Sequence, residues 1–295
     1  MHRLRTDAVV AWVVTGVLLS GCGRATTATS DASELHGTLQ IKGSDTMVNL
    51  VQAWAEGFME HHPGVMMSVT GGGSGTGIAA LLNGTTDIAG CSRTMSEQER
   101  SQAKAQGWTP TELTVALDGL AVVVHPNNPV SRLTLQQLAD IFTGQIANWH
   151  DVGGADAPII VLSREVNSGT HVYFKEHVLR HGNPKGAEEY ARSALLLPSS
   201  QAIADEVAHN AQAIGYYGMG YLSPQQKAIA VGKDASSPLV SPAIDAVRSG
   251  AYPISRPLMF YTRDAQGDLV KSFLDFALSP DGQHIVSQQD FVPIH

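Results

Sequence analysis

The chain has 295 residues, 43% of them apolar, enough to bury a substantial core and to form about two domains. That excludes a disordered or fibrous polymer. A net charge of −8 makes nucleic acid and anionic membrane surfaces poor partners, because the long-range field repels both; any anion that binds needs a local site.

Arg3 and Arg5 form a short basic region, Ala8 to Leu19 is an almost unbroken apolar run, and "LSGC", Leu19 to Cys22, ends it with small residues before a cysteine. This is the layout of an export signal over residues 1–21, with an apolar run too short for a stable membrane span. "LSGC" resembles the lipobox of bacterial lipoproteins, which implies lipidation of Cys22; an ordinary signal peptide cut near Gly21 would leave Cys22 incidental. The polar stretch 22–35 reads as a flexible tether. If Cys22 carries lipid, Cys91, the only other cysteine, has no disulfide partner and is expected to be a small buried residue.

Strands and helices then alternate. "TLQIKGS" predicts a short strand, and Met47, Leu50, Val51, Trp54 and Phe58 repeat at helical spacing just after it. "VMMSVT" is the next predicted strand, "GGGSGTG" its turn, and "IAALLNG" a helix closed by glycine. "PIIVLSRE" predicts a further strand that passes through "VNSGT" into a helix. In each case a strand's carboxyl end meets Ser, Thr or Gly at a helix N-terminus, which is where open α/β sheets bind ligands.

Such ends suit an anion. The first turn of a helix leaves N–H groups unpaired and carries partial positive charge. Glycine admits close approach, and Ser and Thr hydroxyls add neutral donors. Three turns, Ser44 to Thr46, Ser74 to Thr76 and Ser168 to Thr170, are expected to converge on one tetrahedral anion, with Arg164 supplying a planar fork of donors. Singly, each turn reads equally as a tight connection or a helix cap. "GGGSGTG" fits neither G-x-x-x-x-G-K-[ST] nor G-x-G-x-x-G, and Ser74 lies in no G-x-S-x-G elbow. His177 and His181 are one helical turn apart but lack an H-E-x-x-H pattern, so no metal or other cofactor is expected. Phe142 and Trp149, in "IFTGQIANW", are expected to pack at the surface of the second lobe.

"IKGSDTM", "GGGSGTGIAALLNGTTDIAGCSR", "LTLQQLADIFTGQIANW", "SREVNSGTHVYFKEHVL", "AIGYYGMGYL" and "YPISRPLMFYT" together resemble the phosphate-binding lipoproteins of bacterial phosphate ABC transporters, from about Leu39 to the C-terminus. The resemblance implies an α/β, type II periplasmic-binding-protein fold. Two lobes are joined by a hinge of two crossing strands, with the ligand in the cleft between them. It implies a binding protein rather than an enzyme, a monomer that takes up inorganic phosphate outside the cytoplasmic membrane and delivers it to a membrane permease. A binding protein for sulfate, molybdate or tungstate, and a signalling or adhesion lipoprotein, are the alternatives.

Carried over by position, the first lobe contributes Ser44, Thr46, the backbone N–H of Met47, Ser74 and Ser92, and the second contributes Arg164, Ser168, Gly169 and Thr170. Asp45 and Arg93 complete the expected phosphate-binding set, and family members have an aspartate near the place where this chain has Ser92 and Arg93. Asp45, the only carboxylate within the three turns, is therefore a candidate acceptor for the phosphate proton, or else a helix cap or a partner for Arg93. The crossing segments are placed near "VALDGLAVVVHP" and "GYYGMGYL". Residues 36–117 and 222–295 then form lobe I, and 118–221 lobe II.

Overall fold

The computed structural model describes residues 35–263 and 267–295; the expected signal peptide, Cys22 and most of the tether lie outside them. Leu35–His295 forms one compact unit. Its first third is β1 (Gly37–Gly43), α1 (Val48–His61), β2 (Val65–Thr70), α2 (Ser74–Leu82), β3 (Ile88–Cys91) and α3 (Glu97–Ala105). The middle is β4 (Thr111–Val124), β5 (Arg132–Thr134), α4 (Leu135–Thr143), β6 (Ile160–Arg164), α5 (Gly169–Phe174), β7 (Leu195–Leu197), α6 (Ser200–His209) and β8 (Ala213–Gly218). The last part is β9 (Lys227–Ala228), β10 (Ala230–Gly232), α7 (Ile244–Arg248), β11 (Ser255–Thr262), α8 (Asp268–Leu278) and α9 (Pro280–Gln288). Among the described residues, no helix is long and apolar enough to cross a membrane.

The strands follow the order β2-β1-β3-β11-β4-β8-β6-β7, and a separate pair joins β10 to β5. Strand β1 runs parallel to β2 and β3, as strand–helix–strand crossovers require. The pivot is β4, a long strand with an almost unbroken buried run. Its first part, through Gly119, pairs antiparallel with β11, and Leu120 to Val124 pair with β8. One strand thus belongs to two cores.

On one side of that pivot, Leu50, Trp54 and Phe58 of α1 pack with Phe260 of β11 and Phe273 of α8. The Trp54 indole N–H donates to the Gly282 carbonyl at 2.7 Å. Each such side chain contributes about 1.5–3 kcal/mol of burial. On the other side, Leu120, Val122 and Val124 pack with Phe174 and Tyr216. Phe142 and Trp149 belong to this second core as well, at 0% and 2% exposure, rather than to the surface. Phe142 sits on α4, where Leu138 and Ile141 share its buried face.

Residues 227–254, which the sequence assigns to the first lobe, place Ile229, Val231, Val247, Tyr252 and Ile254 in the second core. Strand β9 pairs with Val123 and Val124, and β10 with β5. The chain rejoins the first core where Ser255 of β11 meets Gly119 of β4. The turn after β8 does reach the segment between β1 and α1, through the Tyr221 hydroxyl, which donates to the Asp45 carbonyl at 2.9 Å.

Candidate functional site

Four strand ends meet at the pivot: Ser44 follows β1, the glycine turn and Ser74 follow β2, Ser92 follows β3, and Ser168 follows β6 before α5. The hydroxyls of Ser44, Ser74 and Ser92 touch. Ser44 Oγ donates to Ser92 Oγ at 2.8 Å, Ser74 Oγ lies 3.3 Å from Ser92 Oγ, and Ser74 Oγ accepts the Ser92 N–H at 3.1 Å. From the other side, Thr170 Oγ1 lies 2.8 Å from Thr46 Oγ1. All five residues are buried. Gly169, at the start of α5, lies so close to Ser74 and Ser92 that a Cβ there would overlap both. The three predicted turns therefore do converge.

Ser168 has a quieter place: its hydroxyl caps α5 by accepting the His171 N–H at 3.4 Å. The Met47 N–H, expected among the free donors, is used in the single 3-10 turn before α1, donating to the Ser44 carbonyl at 3.1 Å.

The glycine turn answers to a different neighbour than expected. Gly73 has φ of +95°, and a Cβ there would lie 2.7 Å from the Asn167 carbonyl oxygen. Only glycine combines that backbone with that approach. The Gly75 N–H donates to the same carbonyl at 3.0 Å, while the Asn167 amide donates to the Gly72 carbonyl at 2.8 Å and to Thr76 Oγ1 at 3.2 Å. The turn is a seat for the loop before α5.

Arg164 is buried at the end of β6. One Nη lies 3.1 Å from Asp45 Oδ2 and donates to Ser200 Oγ at 2.9 Å, and the other donates to the Pro198 carbonyl at 2.9 Å. Its Nε is buried with no hydrogen-bond partner among the described residues, an arrangement that costs about 1–3 kcal/mol in a closed interior. Burial pulls the guanidinium pKa down, and the Asp45 carboxylate opposes that shift. Asp45 also accepts the Ser200 N–H, in the first turn of α6, at 2.8 Å. Its ionic partner is thus Arg164. Arg93 instead forks onto Glu99, at 2.8 and 2.7 Å, so the alternative pairing of Asp45 with Arg93 is not formed.

Two residues at the site are absent from the expected set. Arg256, on β11, donates through Nε and one Nη to Asp118 Oδ2, at 3.0 and 2.9 Å, and through its other Nη to the Ser92 carbonyl at 3.0 Å. The Nη on Asp118 also donates to Thr170 Oγ1 at 3.0 Å and reaches Thr46 Oγ1 at 3.5 Å. Asp118 and Arg256 face each other in the β4–β11 register. Burial pushes the Asp118 pKa up, and Arg256 opposes it. The signal was present in the sequence: a lone aspartate in "VALDGLAVVV" and a lone arginine in "ISRPLMFYT" interrupt two otherwise apolar strands, as a buried ion pair does.

The remaining candidates stay outside. His177 bonds the Pro253 carbonyl at 2.9 Å and stacks on Tyr173, and among the described residues no His/Cys/Asp/Glu group is arranged to hold a metal. Cys91 is fully buried, and burial pushes its thiol pKa up, away from nucleophilic reactivity.

The model of the PBP superfamily domain matches residues 25–281. The phosphate-binding protein PstS of Pseudomonas aeruginosa is 32% identical over 282 residues, covering 89% of this chain and 85% of that protein. PstS of Bacillus subtilis is 32% identical over 292 residues, covering 97% and 92%. Among solved structures, a Clostridium perfringens protein crystallised with bound phosphate matches at 33% identity and a TM-score of 0.79, covering 88% of this chain and all of that one. An ABC-type phosphate transport receptor from Vibrio cholerae matches at 32% and 0.69, covering 86% and 99%. With two cores sharing one pivot strand and hydroxyls meeting between them, the chain belongs to the PBP superfamily in its type II form, and within it to the family of the phosphate-binding proteins named PstS.

Proposed function

We propose that this chain binds inorganic phosphate between its two lobes and delivers it to the membrane permease of a phosphate ABC transporter, without chemistry on the ligand. The observation that carries the reading is the meeting of Ser44, Ser74 and Ser92 from one side with Gly169 and Thr170 from the other. These groups are neutral donors at the ends of four strands, buried and within reach of one tetrahedral anion. The anion takes the place of the hydroxyl–hydroxyl bonds, and each replacement is charge-assisted, roughly twice as strong as a neutral one.

In this reading lobe I spans residues 36–118 and 255–295, and lobe II spans 119–254, following the two cores. Arg164 sits beside the anion with its unpaired Nε, and Asp45 holds its other side. Cys22 carries the lipid that keeps a monomeric chain at the outer face of a membrane. Phosphate keeps a proton at neutral pH that sulfate lacks, so an acceptor at the site separates two anions of similar shape.

Calorimetric titration of the ligand-stripped protein with phosphate, sulfate, molybdate and tungstate tests the reading. Phosphate is expected to bind far more tightly than the other three. Sulfate binding as tight as phosphate overturns the assignment.

A further inference from the structure

The buried pair Asp118–Arg256 has a role that its stability does not explain. Replacing a buried ion pair by apolar residues of similar volume is often neutral or stabilising, so the pair is weak evidence of a structural need. Its geometry points elsewhere. Asp118 fixes the guanidinium through two donors on one oxygen, and its other oxygen accepts the Met219 N–H at 3.1 Å. The Tyr173 ring lies 5.6 Å from the guanidinium carbon, and the Tyr173 hydroxyl donates to the neighbouring Ser255 carbonyl at 2.5 Å. The guanidinium is immobilised from three directions.

A guanidinium only donates, and a hydroxyl both donates and accepts. Thr170 Oγ1, at 3.0 Å from Arg256 Nη2, must present a lone pair to it, so its proton points away from Arg256. Thr46 Oγ1, at 3.5 Å on the same nitrogen and 2.8 Å from Thr170 Oγ1, is held in the same sense. One threonine comes from each side of the cleft. We propose that Arg256 is a positioning residue for the anion site: it turns the hydroxyls of Thr46 and Thr170 into donors aimed at the bound oxyanion. This rests on the phosphate reading above. Its consequence is a division within the site: each threonine commits a lone pair to Arg256 and is thereby biased towards donating, while Ser44, Ser74 and Ser92, which no guanidinium holds, keep lone pairs that can accept the proton that phosphate retains.

A double-mutant cycle read by phosphate calorimetry tests this. The neutral pair Asp118→Asn/Arg256→Gln leaves no unpaired charge, and it is compared with wild type in two backgrounds, the native one and Thr46→Val/Thr170→Val. In the native background the neutral pair is expected to weaken phosphate binding about 10- to 150-fold, the range of a lost charge-assisted bond. In the valine background it is expected to change the Kd less than threefold, because the hydroxyls through which Arg256 acts are gone. Arg256→Lys, which keeps the charge but loses the fork, is carried through the same cycle and is expected to show the same non-additivity, should the neutral pair not fold. Equal losses in both backgrounds, or no loss in the native one, overturn the positioning role. Failure of the wild type to bind phosphate overturns the site assignment instead, and is seen before any variant is made.

Discussion

Gly169→Ala is the sharpest test of where the ligand sits. An alanine Cβ would overlap the Ser74 hydroxyl and lie 2.7 Å from Ser92 Oγ and 2.9 Å from Ser74 Cβ, where ordinary contact begins near 3.4 Å. A serine hydroxyl can rotate aside, but doing so breaks the bond between Ser74 Oγ and the Ser92 N–H. The Ser74 Cβ, about half an ångström too close, cannot move without α2. The variant therefore either gives up a donor or keeps the lobes ajar. A bond to a charged group is worth about 1.5–3 kcal/mol, so phosphate affinity should fall about 10- to 150-fold. The clash is across the cleft only. Gly169 is the first residue of α5, where alanine is no worse a helix former than glycine, so the ligand-free melting temperature should hold or rise. Calorimetry and thermal melting of the same preparation read both effects. A Kd within threefold of wild type, or a ligand-free melt lowered by several degrees, refutes the placement of Gly169 at a closing ligand site.

Asn167→Ala removes two exposed hydrogen bonds to the glycine turn but leaves the backbone bond from the Gly75 N–H. At a combined worth of about 1 kcal/mol, phosphate release in stopped-flow should speed about fivefold with the association rate unchanged. An unchanged release rate removes Asn167 from the closure contact. Burial, with a smaller contribution from Lys175, holds the His171 imidazole down at about 4, against 6.5 for the free side chain. The unfolded chain takes up a proton between those values and the folded chain does not. Stability is therefore full above pH 6.5 and declines as pH falls towards 4, by an amount on the order of 3 kcal/mol. Urea unfolding at pH 7 and 4.5 should show a smaller decline for His171→Gln than for wild type, and equal declines reject the assignment.

Much of this architecture was legible because its signals are local. Apolar spacing in 47–58 and the Ser and Gly residues between strand and helix mark β1, α1, β2 and α2 without any knowledge of what they touch. What the sequence does not carry is the identity of distant neighbours. "GGGSGTG" shows that something comes close, but that it is Asn167 depends on a contact 95 residues away. Likewise Arg164 is recognisable as a candidate site residue, while its partners Asp45 and Ser200 arrive from other strand–helix turns. Strands of two and three residues, β9 and β10, have no periodicity to read. Only their pairing with β4 and β5 shows that 227–254 packs into the second core. For Phe142 the local cue existed, since Leu138, Ile141 and Phe142 fall on one helical face.

The ion pairs also explain how a chain of net charge −8 can hold an anion. Surface charges are screened over about 8 Å at physiological ionic strength, so their repulsion of an anion in the site fades beyond about that distance. Within the site each arginine already has its carboxylate, Arg164 with Asp45 and Arg256 with Asp118, leaving these two pairs without net formal charge. On the proposed phosphate reading, the attraction then comes from oriented hydroxyl and N–H dipoles, those of Thr46 and Thr170 held by Arg256, acting where water is excluded. Dipoles lose their effect with small displacements, and a net charge does not. A site built this way depends on the fit between lobes more than on ionic strength, which is why one methyl group at Gly169 should matter more than any charge on the surface.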